Sequence, residues 1–184
     1  MVIIPISGKA RHGKDTFATF LKIELEKEGK RVLITHFGDY VKFIAKNIYG
    51  WNGEKDEKGR KLLQYIGKTF RNYKNSFFVD IIKDLINVVY KDFDYILIPD
   101  VRFPNELDTM KNFEGKSISV VSVFIKRDFI PKEELLTEEA QKDVSETLMD
   151  DMKFDLYFEF KGNDLEEVKY ICNLQKDFFI KYIE

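Results

Sequence analysis

A chain of 184 residues with 44% hydrophobic residues can bury a core, which excludes intrinsic disorder and suits one domain of the usual roughly 100–200 residues. A formal net charge of −2 lacks the bulk basic character of a nucleic-acid binder, and the single cysteine, Cys172, excludes an intrachain disulfide and a cysteine-rich metal site. No apolar run reaches the ~20 residues of a membrane span, and strand-like residues begin at once without a signal peptide, so the expectation is a soluble, cytoplasmic protein.

The apolar run 2–6 predicts a buried strand. It leads into Gly8-Lys9-Ala10-Arg11-His12-Gly13-Lys14-Asp15-Thr16, which opens a helix with Phe17, Phe20, Leu21 and Leu25 on one face. Strand, glycine-rich turn ending in Gly-Lys, then helix is the context of a P-loop. Main-chain N–H groups and the positive end of the helix dipole converge where a phosphate fits. Lys14 adds a mobile cation for the outer phosphates. The slot after the lysine usually holds Ser or Thr, whose hydroxyl binds Mg²⁺; here it is Asp15, followed by Thr16. Asp15 can hold the metal through a water, Thr16 can stand in, or Asp15 can simply favour the helix N-terminus. His12 is read as an exposed side chain on a loop defined by its backbone.

A second strand at 31–37 ends in His36, a lone histidine of the kind that is more often structural and to which no role is assigned, and runs into Phe37-Gly38-Asp39-Tyr40-Val41-Lys42. Asp39 and Lys42 are spaced to share a helix face, with helix capping by Asp39 as the plainer reading. On the next helix Arg60, Gln64, Gly67 and Arg71 fall within about 60° of one another, opposite Leu62, Leu63, Ile66 and Phe70. Arginine forks suit a monoester phosphate, and an amide such as Gln64 can read a base edge or sugar hydroxyl. The plainer alternative is a solvated basic face paired with Glu54, Asp56 or Glu57. A helix over 75–90 carries a core stripe of Phe78, Ile81, Ile82, Leu85 and Val89.

The third strand, 95–98, leads into Asp100-Val101-Arg102-Phe103-Pro104-Asn105-Glu106. In open parallel sheets ligands bind beyond the carboxyl ends of strands. Asp100 can hold Mg²⁺ or its waters there, and Arg102 offers a fork for phosphate oxygens, unless the two pair with each other to shape the turn. A fourth strand at 118–125 precedes a highly charged stretch, 127–147, whose natural reading is a mobile lid. A fifth strand at 156–160 and a helix starting at Asn163-Asp164-Leu165-Glu166 complete the chain. The expected fold is α/β: a three-layer P-loop NTPase fold with a mostly parallel five-stranded sheet, helices on both faces and a mobile lid. It forms one domain over 1–184, with an acceptor-binding helical region at about 39–90.

The loop at 8–16, Phe-Gly-Asp-Tyr-Val-Lys at 37–42, Arg60 followed by Leu-Leu-Gln-Tyr-Ile-Gly and later Arg71, Asp-Val-Arg-Phe-Pro-Asn-Glu at 100–106, and Val144-Ser145-Glu146 together resemble the deoxynucleoside monophosphate kinases of bacteriophages. These are P-loop kinases of the nucleoside monophosphate kinase type. The resemblance spans nearly the whole chain with its motifs in order. It implies transfer of the γ-phosphoryl group of ATP to a deoxynucleoside monophosphate with Mg²⁺. Lys14 and the loop amides would hold the donor phosphates, and Asp39, Lys42, Arg60, Gln64, Arg71 and Arg102 would line the acceptor side. Lys14, Arg11 and an Arg127 supplied by the lid would neutralise the transferred group. Asp15 after the lysine also fits this family.

Two details depart from the family pattern: Gly38 and Tyr40 replace the usual Ala and Pro, and Asp143-Val144 stands where a His often precedes the Ser-Glu pair. The expected partners are small-molecule nucleotides, with no nucleic acid and no membrane, and a homodimer is allowed for. Rival readings are a P-loop kinase of a phosphomevalonate or dephospho-coenzyme A type acceptor, a non-catalytic nucleotide-binding module, and a kinase of polynucleotide ends.

Overall fold

The computed structural model describes residues 1–54, 56–115, 117–131, 147–162 and 164–182. Strand β1 (Val2–Ser7) lies at the centre of an all-parallel sheet ordered β2-β3-β1-β5-β6, formed with β2 (Val32–Ile34), β3 (Tyr95–Val101), β5 (Val123–Arg127) and β6 (Leu156–Phe160). A two-residue strand, β4 (Ser119–Val120), pairs with the start of β1, and β5 pairs with its end. The single fourth strand expected from sequence is thus one stretch interrupted at Val121–Ser122, which accounts for six strands in place of five. The side chain of Asp155 occupies the interruption: its Oδ2 accepts from the amide and the hydroxyl of Ser122.

Side chains alternate across a strand, and this builds the three layers. Val2, Ile4 and Ile6 face α1 (Lys14–Lys27) and α6 (Leu165–Ile180), meeting Phe17, Leu21, Leu25, Cys172 and Phe179. Ile3, Ile96 and Ile98 face the other layer, made of α2 (Phe37–Tyr49), α3 (Glu57–Tyr73), α4 (Phe77–Val89) and α5 (Pro104–Lys111). Each Ile, Leu or Phe fully buried there contributes roughly 1.5–3 kcal/mol relative to exposure, so packing rather than helix propensity holds the layers. Cys172 belongs to the first cluster, and burial pushes its thiol up to about 12. No helix among the described residues is long and apolar enough to cross a membrane.

Several boundaries differ from the periodicity. β3 runs on to Val101, so Asp100 lies within the strand rather than beyond it. The ladder slips here: Pro5 opposes Ile98, whereas Ser7 opposes Val101, giving β3 one residue more than β1. Prolines cannot donate to a ladder, and Pro5 and Pro99 both fall at the slip. β2 is shorter than expected because Phe37 already begins α2. Asp164 caps α6 by accepting from the amides of Glu166 and Glu167. The proposed lid lies mostly in 132–146, outside the described residues, as do Val144, Ser145 and Glu146.

Candidate phosphate and acceptor site

The glycine-rich turn leaves the carboxyl end of β1 between β3 and β5. Ser7 anchors it, donating its buried hydroxyl to the carbonyl of Val101 at 2.7 Å. Gly8 follows with φ 144°, and a Cβ there would run into the carbonyl oxygen of Ile125. Strain of this kind costs on the order of 2–3 kcal/mol. We therefore expect Gly8→Ala to lower the melting temperature by roughly 5–10 °C, measured by thermal unfolding. A change below about 2 °C would contradict the contact.

Arg11 (φ 65°) is the one non-glycine with positive φ among the described residues, and Gly13 (φ 87°) stands as the N-cap of α1. Left-handed steps of this kind shape anion-binding nests, and no side chain caps the helix end behind them. The buried Lys14 curls over the turn, its Nζ donating to the carbonyls of Gly8 (2.6 Å) and Lys9 (2.8 Å). His12 is half-buried rather than exposed: its Nδ1 accepts from the amide of Arg127 at 3.1 Å. Arg127 itself ends β5 and braces the turn, donating from Nε to the Gly162 carbonyl (2.6 Å) and from its guanidinium to the Arg11 carbonyl (2.9 Å). Lys9 pairs with Asp150 at 2.9 Å.

Behind the turn lies an ionic bridge that the sequence reading left unassigned. His36 Nε2 meets Asp15 Oδ1 at 2.9 Å and its Nδ1 meets Asp39 Oδ2 at 3.1 Å, while Asp39 Oδ1 accepts from Lys42 at 2.8 Å. With a carboxylate at each ring nitrogen, both nitrogens donate and the imidazolium form is favoured. The Asp15 hydrogen bond raises the His36 pKa against the opposing effect of burial, with Asp100 and Asp39 adding to it. Asp15 is lowered in turn, chiefly by its His36 bond. Asp39 is raised by burial but held below the ordinary carboxylate value by Lys42 and His36 together. Asp15 and Asp39 therefore bind a side chain rather than cap a helix. The cap of α2 is Asp100, whose two oxygens accept from the amides of Phe37 (3.0 Å) and Gly38 (2.8 Å). Burial raises the Asp100 pKa and these two amides work against that rise.

A second charged cluster lies on α3 and α5. Arg71 stacks on the face of Phe103, with Cζ 4.2 Å from the ring centroid, and lies 5.3 Å from that of Phe78. Its guanidinium lies where a Cβ on Gly67 would come within 2.9 Å of it, so the glycine gap on α3 is filled by Arg71. Glu106, only 2% exposed, faces it with Oε1 3.7 Å from the Arg71 guanidinium. Glu106 Oε2 accepts from the amides of Arg102 (2.8 Å) and Phe103 (3.1 Å). Gln64 is exposed and Arg60 half-buried on the earlier turns of the same helix. Of the acids suggested as partners for that face, Asp56 caps α3 through the amide of Gly59 and Glu57 pairs with Lys61.

Burial pushes Glu106 from 4.5 up to about 7, against the pull of the Arg102 amide and Arg71. A carboxyl raised in the folded state holds more protons there than in the unfolded chain, so its stabilising contribution is complete below about pH 4.5 and fades as pH rises through about 7. A shift of this size corresponds to about 3 kcal/mol. We expect the denaturation free energy of the native protein, relative to Glu106→Gln, to fall by that order between pH 4 and 8. Parallel profiles for the two proteins would contradict it.

The two clusters meet through Asp100. It caps α2 beside His36 and is among the charges that act on Arg71. Turn, ionic bridge and arginine shelf thus gather at the carboxyl ends of β1, β2 and β3, where open parallel sheets bind ligands. The architecture is a three-layer α/β fold, a parallel sheet with helices on both faces. Among solved structures, the protein APE1195 matches the whole chain and 97% of its own length with a TM-score of 0.54 at 16% identity, a likeness of fold. The Mycobacterium tuberculosis APS kinase CysC in complex with AMPPNP and APS overlaps with a TM-score of 0.45 at 10% identity, covering 97% of this chain and 96% of its own. A sugar kinase from Janibacter sp. also gives 0.45 at 10% identity, covering 98% of this chain and 94% of its own. No protein-family model and no curated protein matches the chain.

Proposed function

We propose that this protein transfers the γ-phosphoryl group of ATP to a deoxynucleoside 5′-monophosphate, giving ADP and the deoxynucleoside diphosphate. One observation carries the reading: two sites suited to anions adjoin at the carboxyl end of β3, where Ser7 before the main-chain turn donates to Val101 and the next residue, Arg102, gives its amide to Glu106 beside the Arg71 guanidinium. A nucleotide-binding module needs only the first. No side chain caps the amino end of α1, and left-handed steps at Arg11 and Gly13 shape the turn before it, which suits a main-chain phosphate site.

In this reading the bond between the bridging oxygen and the γ-phosphorus breaks, and a new bond forms to an oxygen of the acceptor phosphate. That oxygen is already ionised at neutral pH, so no general base is needed. The residues act by alignment and charge. Lys14 leaves the carbonyls of Gly8 and Lys9 for the donor phosphates, Arg11 and Arg127 flank the turn, and Arg71 and Arg102 hold the acceptor. Asp39, Lys42, Arg60 and Gln64 line the acceptor side. A hard cation such as Mg²⁺ suits an oxygen donor set of one or two carboxylates with phosphates. Asp15, whose carboxylate is 77% exposed, would hold it with Thr16, and Asp100 would bear on its waters. When bound, Mg²⁺ would supply neutralisation of phosphate charge.

The test is ADP formation at fixed ATP and Mg²⁺ over dTMP, dGMP, dCMP, dAMP, their ribo forms, phosphomevalonate and dephospho-coenzyme A. We expect turnover with at least one deoxynucleoside monophosphate. ATP binding without turnover on any acceptor would overturn the proposal in favour of a regulatory module.

A further inference from the structure

The Arg71 guanidinium is held from several directions. Phe103 covers one face, Phe78 lies near, and Gly67 leaves room for it on its own helix. Both Phe103 and Arg71 depend on one buried carboxylate. Glu106 Oε2 fixes the entry to α5 by accepting from the amides of Arg102 and Phe103, and this sets where the Phe103 ring stands. Glu106 Oε1 faces the guanidinium that lies on that ring. A fork held by a ring face and a carboxylate is limited to few rotamers, so little freedom is lost when it meets an anion.

We infer that Glu106 is a positioning residue, whose one carboxylate sets both the Phe103 shelf and the Arg71 guanidinium and so aims the fork at the acceptor phosphate. The role rests on the proposed reaction for the identity of the anion, but the orientation of Arg71 does not. Gln at this position separates the two tasks, because an amide oxygen can still accept from the two main-chain amides while its NH₂ group no longer attracts the guanidinium.

The experiment combines calorimetric titration of dTMP, dGMP, dCMP, dAMP and ATP with the Arg71 Nε–Hε resonance in ¹⁵N spectra, assigned through Arg71→Lys. For Glu106→Gln we expect monophosphate affinity to fall about tenfold, ATP affinity to stay within about twofold, and the Arg71 resonance to move and exchange faster with solvent. A resonance unchanged from the native protein, or native monophosphate affinity, would overturn the inference. If the native protein binds ATP but none of the four monophosphates, the proposed reaction fails while the resonance still decides the positioning role. Should Glu106→Gln not fold, Phe103→Leu removes the shelf alone; an unmoved Arg71 resonance in that variant also overturns the inference.

Discussion

If the proposed reaction holds, we expect Lys14→Met to lower turnover by about 10²–10³-fold while the protein stays folded. The loss is large because a fixed cation acting where charge shifts in the transition state, away from water, is worth several kcal/mol to the rate. The fold survives because Lys14 is 6% exposed with an aliphatic stem that Met reproduces, and its Nζ bonds are to two loop carbonyls. Leaving those carbonyls without that donor costs about 1–3 kcal/mol, offset by no longer burying an ammonium group. Steady-state ADP formation and a thermal melt read the two effects separately. Turnover near that of the native protein, with a melt within a few degrees, would remove Lys14 from the reaction.

We expect Arg71→Lys to raise the KM of the proposed acceptor by about 10–100-fold and to leave the ATP KM unchanged. Charge is conserved in this substitution, so the change isolates geometry. Lysine offers no planar fork for two phosphate oxygens and no flat cation to stack on Phe103. It also fills less of the space beside Gly67 and Phe78. Initial rates over a matrix of ATP and acceptor concentrations measure both constants. An acceptor KM within twofold of the native value would place the acceptor phosphate elsewhere, with Arg60 on the same helix the next candidate.

The turn at 8–16 was legible because its signal is local. A buried strand, a turn with two glycines ahead of Lys14 and an amphipathic helix follow one another within about 25 residues, and each has its own periodicity or backbone requirement. The same holds for the core stripes of α1 and α4, which lie where the spacing of Phe17, Leu21, Leu25, Phe78 and Ile82 puts them. The strand bounds were less legible. Periodicity ran through Val121 and Ser122, where the side chain of Asp155 takes over the pairing, and stopped short of Asp100, which a slip at Pro5 and Pro99 keeps within β3.

The roles of the polar residues divide in the same way. Asp39 and Lys42 pair three residues apart on one helix, which spacing alone anticipates. His36 looked like an isolated strand-end histidine; its i, i+3 relation to Asp39 was the one available hint, and its other partner, Asp15, is 21 residues away. Glu106 closed a sequence motif but carried no sign that its two oxygens would serve different partners, one of them Arg71 on another helix.

By itself the sequence determined the layers, the glycine-rich turn after β1 and the supply of cations, because propensity, side-chain period and main-chain freedom act over a few residues. Only the tertiary structure decided which acid meets which base: Asp100 with the α2 amides 62 and 63 residues before it, His36 between two carboxylates, Arg71 over Phe103 beside Glu106. Those pairings are set by the order of strands in the sheet, which brings distant loops to one edge, and no local pattern encodes that neighbourhood.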